Sequence, residues 1–324
     1  MTNTVPMIDL ARSRSSDTEF DAVARQIDEA NQHVGFLAVV NHGVPQKLLD
    51  DMYDVTAEFF DLPMVERLSV LGSRHTSRGY IPPKQRALAR TRGIETPADL
   101  VELFSIGLPE VPDDPWFRRA QDLGYFAANQ WPEHPTRFRE IWEAYYREMS
   151  ALAFELMQLF AVALGLEKNW FDDKVDRPIS NLFANHYPPL TAVPEPGQIR
   201  VGEHTDYGSL TLLYQSDAVG GLEVLLDDVW CPIEPIAGSF VVNIGDLMAR
   251  WTNDRWISTL HRVQNPAISG PASRRISFPF FCQPNYDAVI ETLPTCRQRG
   301  GTSRYSTITA GMNVSGKTDV SFDI

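Results

Sequence analysis

Two histidines and one aspartate are spaced so that they could bind one metal ion. His204 and Asp206 are separated by a single residue, and side chains at i and i+2 of an extended segment point to the same face. An imidazole and a carboxylate at this spacing can therefore reach the same ion. His261, further along the chain, is the candidate for a third ligand. We predict a metal site formed by His204, Asp206 and His261.

The donor set of this predicted site indicates which metal it binds. Two histidines and one carboxylate on one side of a metal form the facial triad of non-haem Fe(II) oxygenases, which leaves the opposite positions open for a co-substrate and O₂. With 7 histidines in 324 residues, however, a His-x-Asp tripeptide arises easily by chance. The triad therefore needs support from the rest of the sequence.

A second pair of polar residues at the same spacing, Arg275 and Ser277, follows His261 in the chain. The arginine guanidinium is a planar fork that binds a carboxylate through two bonds, and the serine hydroxyl adds a donor. This pair predicts a site for the distal carboxylate of a dicarboxylic acid. Arg274 is the neighbour that could be confused with Arg275, but only Arg275 has a serine two residues on. An earlier predicted strand supplies a phenol at Tyr187.

The elements that must position these residues are short strands in the second half of the chain. Turn-forming Gly, Pro, Asp and Asn separate several β-rich runs of similar length. Short strands at this spacing are typical of a sandwich or jelly roll rather than a parallel α/β sheet. The predicted strands are 181–187, 209–214, 222–226, 240–244, 257–263 and 275–281.

The first half of the chain combines helices with one buried strand. Apolar residues recur every three or four positions over 20–30 and 46–60, which predicts two amphipathic helices on either side of a short strand at 35–40. Residues 70–130 show no sustained period and are expected to be loops. A long helix is predicted over 135–165, and its second half is apolar nearly all round and therefore buried.

Composition and charge indicate the class of partner. Hydrophobic residues make up 43% and charged residues 22% of the 324 positions, which are ordinary values for a globular protein with a large core. The formal net charge is -13, whereas phosphate binding requires clustered lysine and arginine. Nucleic acid and membranes are therefore disfavoured as partners, and a small-molecule substrate is expected. The sequence does not indicate an oligomeric state.

The cysteines and the N-terminus indicate the compartment. Cys231, Cys282 and Cys296 have no metal-binding spacing and, being three, cannot all pair within the chain. Free thiols are typical of a reducing compartment. The first residues lack the continuous apolar stretch of a signal peptide, and no run reaches the roughly 18 apolar residues of a membrane span. We expect a cytoplasmic protein.

The order of these motifs matches a known family. The sequence resembles the isopenicillin N synthase-like branch of the Fe(II)/2-oxoglutarate-dependent oxygenase superfamily, which includes plant flavonoid, gibberellin and ethylene-forming enzymes. The resemblance runs through nearly the whole chain and is closer in the second half. The segments that carry it there are NHYPP (185–189), GEHTDYGSLTLLYQ (202–215), GGLEV (220–224), VVNIGDLMARWTND (241–254), STLHRV (258–263) and RISFPFFCQPN (275–285).

The resemblance implies a role for each matching residue. The expected iron ligands, which carry the catalytic chemistry, are His204, Asp206 and His261. The expected contacts of the C5 carboxylate of 2-oxoglutarate are Arg275, Ser277 and Tyr187, with Asn185 as a polar group near the metal. Side chains expected near the substrate are Tyr207, Phe183 and Phe281. The implied metal is Fe(II), and the implied co-substrates are 2-oxoglutarate and O₂.

The resemblance also implies the fold, a mixed α/β (α+β) protein in which a double-stranded β-helix, or jelly roll, packs against a helical N-terminal region. We divide the chain accordingly into four parts. They are an N-terminal non-haem dioxygenase region (1–120), a long packing helix (121–177), the Fe(II)/2-oxoglutarate oxygenase jelly-roll core (178–290) and a C-terminal tail (291–324).

The implied function is that of an Fe(II)- and 2-oxoglutarate-dependent dioxygenase. Such an oxidoreductase hydroxylates a C–H bond of a small-molecule, here natural-product, substrate and releases succinate and CO₂. Desaturation, ring closure and ring expansion stay open as outcomes. One alternative is a 2-oxoglutarate-independent oxidase like isopenicillin N synthase, which shares the Arg-x-Ser pair. Another is a non-catalytic jelly-roll binding protein, against which the complete triad and the carboxylate fork argue.

The sequence defines the substrate less well. The second half also looks like fungal thymine hydroxylases, for example in EHTDYGS (203–209). The strand before Tyr187, however, carries apolar Leu182 and Phe183 where an arginine suited to a pyrimidine is expected. We therefore disfavour a nucleobase and prefer an apolar natural-product intermediate.

Overall fold

The computed structural model describes residues 5–72, 78–215, 221–267, 270–297 and 301–321. The helices in this part of the chain are α1 (Leu10–Ser13), α2 (Asp17–His33), α3 (Gln46–Asp61), α4 (Met64–Arg67), α5 (Pro115–Asp122), α6 (Phe138–Ala163), α7 (Asp246–Trp251) and α8 (Ala310–Ser321). The strands are β1 (Met7–Asp9), β2 (Phe36–Val40), β3 (Gly79–Ile81), β4 (Glu102–Ile106), β5 (Asn181–Tyr187), β6 (Val201–His204), β7 (Leu210–Gln215), β8 (Leu222–Leu226), β9 (Val229–Pro232), β10 (Phe240–Ile244), β11 (His261–Val263), β12 (Arg275–Cys282), β13 (Val289–Ile290) and β14 (Ile308–Thr309).

Most of these strands belong to two sheets. The large sheet has the order β1-β2-β10-β7-β12-β5-β4-β3, and the small sheet has the order β6-β11-β8-β9. A buried apolar cluster joins them, with Phe183 and Val241 from the large sheet and Leu222 and Val263 from the small one. Two sheets that share one core form the jelly roll predicted from the sequence, and the predicted mixed fold class is confirmed.

Helices cover the outer face of the large sheet. The long helix α6 contacts α2, α3 and the strands β7 and β12. Trp142 and Phe160 of α6 are completely buried in the same core as Leu212 and Phe280 of the sheet. The second half of α6 is apolar on most sides because it has neighbours on most sides. No helix in the described part of the chain combines the length and apolar character needed to cross a membrane.

Local sequence signals set the ends of α2. The side chain of Ser16 accepts a hydrogen bond from the backbone N of Glu19, which caps the first turn. At the other end Gly35 has φ +68, a left-handed conformation that glycine adopts without cost. A Cβ at Gly35 would lie 2.2 Å from the carbonyl oxygen of Ile257, so this close approach of two chain segments requires glycine.

The expectation that residues 70–130 form only loops is wrong. This part of the chain contains β3, β4 and α5, and β3 and β4 extend the large sheet beyond β5. All five residues of β4 are buried, so the strand has no alternation of apolar and polar residues that would reveal it. The strand predicted at 257–263 is also shorter than expected, because only His261–Val263 pairs with neighbours.

Candidate active site

The three predicted metal ligands lie together at one end of the small sheet. His204 is the last residue of β6 and His261 is the first residue of β11, and the two are directly paired in the antiparallel register. Their ring centroids are 4.2 Å apart. Asp206 lies in the turn after β6, and one ligand atom from each of the three residues falls within 4.8 Å of the others. The pairing of two short strands therefore assembles the triad.

Backbone carbonyls orient the two imidazoles. Nδ1 of His204 is 2.9 Å from the carbonyl oxygen of Gly202, and Nδ1 of His261 is 3.1 Å from that of Thr259. Because a carbonyl can only accept, Nδ1 carries the hydrogen in both rings and Nε2 keeps its lone pair. The two Nε2 atoms lie 3.8 and 3.7 Å from Oδ1 of Asp206. Three donors thus converge on one point.

The carboxylate of Asp206 is held from its other side. Its Oδ2 accepts hydrogen bonds from Oγ1 of Thr211 (2.6 Å) and Nδ2 of Asn243 (2.7 Å). Burial acts to raise the pKa of Asp206, but the adjacent His261 and His204 and these two hydrogen bonds outweigh it, and the pKa lies below its ordinary value. Burial and the neighbouring His261 lower the pKa of His204. Neutral imidazole and ionised carboxylate are the forms that bind a metal, so the donor set fits Fe(II).

A buried arginine lies across the cavity from these donors. Arg275 is 2% exposed, and its side chain donates to Oγ of Ser277 (3.1 Å) and to Oε1 of Gln215 (2.8 Å). Its Nε has no hydrogen-bond partner, and it forms no ion pair within the described part of the chain. A buried cation without a counter-charge is costly, so this position is suited to a ligand carboxylate.

The strands β5 and β12 bring the other predicted co-substrate residues to the same place. Tyr187 pairs with Arg275 and Asn185 pairs with Ser277 across the two strands. The guanidinium carbon of Arg275 lies 4.9 Å from the centre of the Tyr187 ring. All four residues line the cavity that is also lined by the three predicted metal ligands.

The two adjacent arginines face opposite ways. Nε of Arg274 donates to Nε2 of His186 (3.0 Å), and its Nη1 lies 3.0 Å from a carboxylate oxygen of Asp61. These partners lie on the helical side of the sheet, away from the cavity. The structure therefore places Arg275, and not Arg274, beside the candidate co-substrate position.

The cavity between the sheets encloses about 630 Å³ of space not filled by atoms, including the part that opens to solvent. Its apolar wall includes Phe36, Leu88, Val101, Leu103, Leu213 and Phe281. Arg86 and Asp99 add charged groups to this wall. A cavity that is largely apolar with a few polar groups is typical of a small-molecule site.

The three residues expected near the substrate occupy different positions. Phe281 lines the cavity. Phe183 packs edge-on against Phe281, with ring centroids 5.4 Å apart, and is outside the group of residues that line the cavity. Tyr207 is also outside this group, and burial raises the pKa of its phenol. The assignment of these three residues to the substrate stays a prediction.

Several residues of the site were not predicted from the sequence. Thr211 and Gln215 lie four residues apart on the same face of β7, where polar side chains interrupt an apolar strand, and Asn243 interrupts β10 in the same way. These interruptions are a usable signal, because a buried polar residue requires a partner. Arg86 and Asp99 come from the irregular segment before β4, where no pattern indicates which side chains face the cavity.

Asp99 joins this irregular segment to the small sheet. Its Oδ1 accepts a hydrogen bond from the backbone N of Gly202 (2.9 Å), and its Oδ2 accepts one from the backbone N of Leu88 (3.0 Å). Burial raises the pKa of Asp99 to about 6, although both backbone bonds favour the ionised form. The cavity wall is thereby fixed next to β6.

Two family models match the chain. Residues 5–134 match the N-terminal region described as "non-haem dioxygenase in morphine synthesis", and residues 178–284 match the 2OG-Fe(II) oxygenase superfamily. Validamycin A dioxygenase of Streptomyces hygroscopicus subsp. limoneus is 34% identical over 97% of this chain and 86% of its own length. Homoarginine-6-hydroxylase 2-ODD-233 of Oryza sativa subsp. japonica is 30% identical over 95% of this chain and 94% of its own length.

A solved structure extends the likeness to three dimensions. A full-length Neurospora crassa protein in complex with alpha-KG has 30% sequence identity and a TM-score of 0.85, covering 97% of this chain and 95% of that one. The same protein in complex with alpha-KG and thymine matches with a TM-score of 0.84.

Proposed function

The chain belongs to the 2OG-Fe(II) oxygenase superfamily, and from this premise we propose that His204, Asp206 and His261 hold the iron while Arg275 and Ser277 hold 2-oxoglutarate. The chain is an Fe(II)- and 2-oxoglutarate-dependent oxygenase of a small-molecule substrate. We propose that the reaction is hydroxylation of a C–H bond of the substrate.

The observation that carries the proposal is the buried, incompletely partnered guanidinium of Arg275, which faces the same cavity as the three convergent donors. A ligand that binds Arg275 at one end and a metal at the other needs an acidic group for the guanidinium and a metal-binding group at its other end. 2-Oxoglutarate has a carboxylate at each end and a keto oxygen next to one of them. Its charge and its metal-binding groups match a cavity lined by Arg275 and by the three convergent donors.

Each residue has a separate task in this proposal. Bound Fe(II) supplies activation of O₂ coupled to the oxidative decarboxylation of 2-oxoglutarate. Gly202 and Thr259, through their carbonyls, fix the imidazoles so that both Nε2 lone pairs point at one site. Thr211 and Asn243 keep Asp206 ionised and leave its Oδ1 for the metal.

The residues around Arg275 would orient the co-substrate. Ser277 and Tyr187 lie beside the guanidinium on paired strands and can donate hydroxyl hydrogen bonds to the same carboxylate. The site is buried between the two sheets, which strengthens the interaction between the guanidinium and the carboxylate by excluding water. Co-substrate orientation is therefore assigned to rigid strands rather than to loops.

For the substrate we propose an apolar natural-product intermediate in preference to a nucleobase. The apolar wall of the cavity supports this choice. Leu182 is buried on the helical side of the sheet and Phe183 packs against Phe281, so neither offers a polar contact to a pyrimidine. The Neurospora crassa protein, whose structure holds thymine, provides the contrasting case for a direct comparison.

Three broader points are also proposals. We propose the isopenicillin N synthase-like branch on the order of the motifs, and the four-part division of the chain on the change from helices to short strands after residue 178. We propose a cytoplasmic location, without nucleic-acid or membrane partners, on the net charge of -13 and on three cysteines that form no disulfide in the described chain.

The test is succinate release by the iron-loaded enzyme across a panel of metabolites that includes thymine. We expect succinate and an oxidised product in equal amounts, only with 2-oxoglutarate present, and with an apolar panel member rather than thymine. Product formed at full rate without 2-oxoglutarate would favour the oxidase alternative. Thymine as the preferred substrate would overturn the substrate assignment alone.

A further inference from the structure

A second buried arginine lies next to the candidate 2-oxoglutarate position. Arg200 immediately precedes β6 and is 0% exposed. Its Nη2 donates to the carbonyl oxygen of Ser273, which lies two residues before Arg275. The Nε and Nη1 atoms of Arg200 have no hydrogen-bond partner, and it forms no ion pair with any residue that the structure describes.

Arg200 and Arg275 share one neighbour. The guanidinium carbon of Arg200 lies 5.3 Å from the centre of the Tyr187 ring, and that of Arg275 lies 4.9 Å from it. Burial and the positive charge of Arg275 lower the pKa of Arg200 to about 10, which leaves it charged at neutral pH. The protein therefore holds two like charges close together in its interior, an arrangement that costs free energy until an anion enters.

We propose that Arg200 is a positioning residue for 2-oxoglutarate, which adds a second positive charge next to Tyr187 and so strengthens the binding of the C5 carboxylate. The inference rests on the proposed function, because it assigns the Arg275 end of the cavity to 2-oxoglutarate. Tyr187 and Arg275 line the cavity, but Arg200 is not among the residues that line it. Its effect is therefore exerted through the electric field and through the cation-π contact that holds the Tyr187 ring.

The experiment compares 2-oxoglutarate affinity in Arg200→Gln and Arg200→Lys by calorimetry on the iron-loaded protein under nitrogen. We expect the Kd to rise about tenfold in Arg200→Gln, equivalent to about 1.4 kcal/mol. Arg200→Lys restores most of the affinity, because the charge is kept. The affinity for Fe(II) is unchanged in both. If Arg200→Gln does not fold, Arg200→Met also removes the charge. The same rise in the Kd for 2-oxoglutarate and the same unchanged affinity for Fe(II) are then expected of Arg200→Met.

A double-mutant cycle tests whether Arg200 affects the affinity for 2-oxoglutarate through Tyr187. If Arg200 acts through Tyr187, the losses from Arg200→Gln and Tyr187→Phe are not additive. The matched control is Arg67→Gln, another largely enclosed arginine, whose side chain is 13% exposed and whose partner is Glu102. We expect Arg67→Gln to lower the melting temperature and to leave the Kd for 2-oxoglutarate unchanged.

The outcomes separate this inference from the proposed function. A wild-type Kd in Arg200→Gln beside a raised Kd in Arg275→Gln overturns the role of Arg200 alone. A wild-type Kd in both variants overturns the assignment of the co-substrate position and this inference with it. An equal loss of affinity in Arg200→Gln and Arg200→Lys, accompanied by a lower melting temperature, would mean that Arg200 is merely structural.

Discussion

The two faces of the strand pair β5 and β12 both bury charged groups, but only one of them supplies those groups with charged partners. On the helical face, the carboxylate of Glu102 is the centre of a network. It accepts hydrogen bonds from Tyr80, from Arg67 (2.5 Å) and from Nδ1 of His186 (2.7 Å), whose Nε2 accepts from Arg274 (3.0 Å). The two arginines of this network each have an acceptor within the protein, Glu102 for Arg67 and His186 for Arg274.

The cavity face of the same strands is left incomplete. Arg275 has two neutral acceptors, Ser277 and Gln215, and forms no ion pair with a described residue. The two faces have the same strands, the same backbone pairing and similar burial. The fold therefore does not account for why the charges of one face have partners and the charge of the other face does not. The protein itself compensates a buried charge that has its partners inside the chain, whereas the uncompensated charge of Arg275 is suited to a ligand of opposite charge.

Removal of a metal ligand gives the largest effect expected on the cavity face. His204→Ala or Asp206→Ala removes one of three protein donors, so both iron retention and turnover should be lost. Iron content by elemental analysis and succinate release measure these two properties. His42→Ala is the control, because its ring bonds the carbonyl of Gly238 and the backbone N of Val44, and its iron content should equal that of the wild type. Stoichiometric iron in an active Asp206→Ala protein would show that the triad is wrong.

Neutralising Arg275 should give the next largest effect. Truncating one partner of a buried charge pair costs about 2–5 kcal/mol, which predicts a rise of at least about 30-fold in the KM for 2-oxoglutarate in Arg275→Gln. Iron binding should be little changed, and Arg275→Lys should rescue only in part, since an ammonium lacks the two-pronged contact. Succinate formation across 2-oxoglutarate concentrations provides the measurement. A wild-type KM in Arg275→Gln would overturn the assignment of the 2-oxoglutarate position.

On the helical face the same kind of change should affect stability instead. Glu102→Gln leaves the largely enclosed Arg67 without a counter-charge, and breaking a fully buried pair costs about 3–5 kcal/mol, so we expect a loss of unfolding free energy at or below the lower end of that range. Chemical denaturation measures this loss, and the KM for 2-oxoglutarate of the folded variant should stay at the wild-type value. If Glu102→Gln raised that KM as much as Arg275→Gln does, the distinction between the two faces would fail.

The pH dependence of stability gives the smallest effect. Burial lowers the pKa of His186 from its usual 6.5, against the raising effect of Glu102, while Arg274 and Arg67 lower it further. Below pH 6.5 the unfolded chain therefore binds more protons at this residue than the folded protein does, so stability decreases as the pH falls. Melting temperatures at about pH 7.5 and about pH 5.5 should differ less in His186→Gln than in the wild type. The exposed His33 provides the control, and His33→Gln should retain the wild-type difference.

The sequence alone was sufficient to predict which residues are the metal donors, but it did not predict how the strands bring them together. His204 and Asp206 were predicted as donors from residue type and the i, i+2 spacing, and His261 was added on the order of the motifs and the family resemblance. That His204 pairs directly with His261 was not predictable, because β6 has only four residues and was not recognised as a strand. The assignment of Arg275 rather than Arg274 to the cavity follows from strand alternation with Ser277, a local rule that a single sequence does reveal.

The cavity wall shows where sequence reasoning stops. Arg86 and Asp99 lie in a segment without periodicity, and the position of Asp99 depends on its contact with the distant strand β6. Asp99 finds its partners at Leu88 and Gly202, and no local pattern links these three residues. Tertiary packing, rather than propensity, decides which side chains of such a segment face the ligand.

The two backbone hydrogen bonds of Asp99 have a consequence for how substrate range can change. They attach the segment from Leu88 to Leu103 to β6 through the side chain of Asp99, without involving the apolar side chains that this segment presents to the cavity. Leu88, Val101 and Leu103 can therefore be exchanged while the attachment and the register of the metal-binding strands persist. A library restricted to these three positions, on a chain that keeps Asp99, is a route to new substrates with the oxidation chemistry left intact.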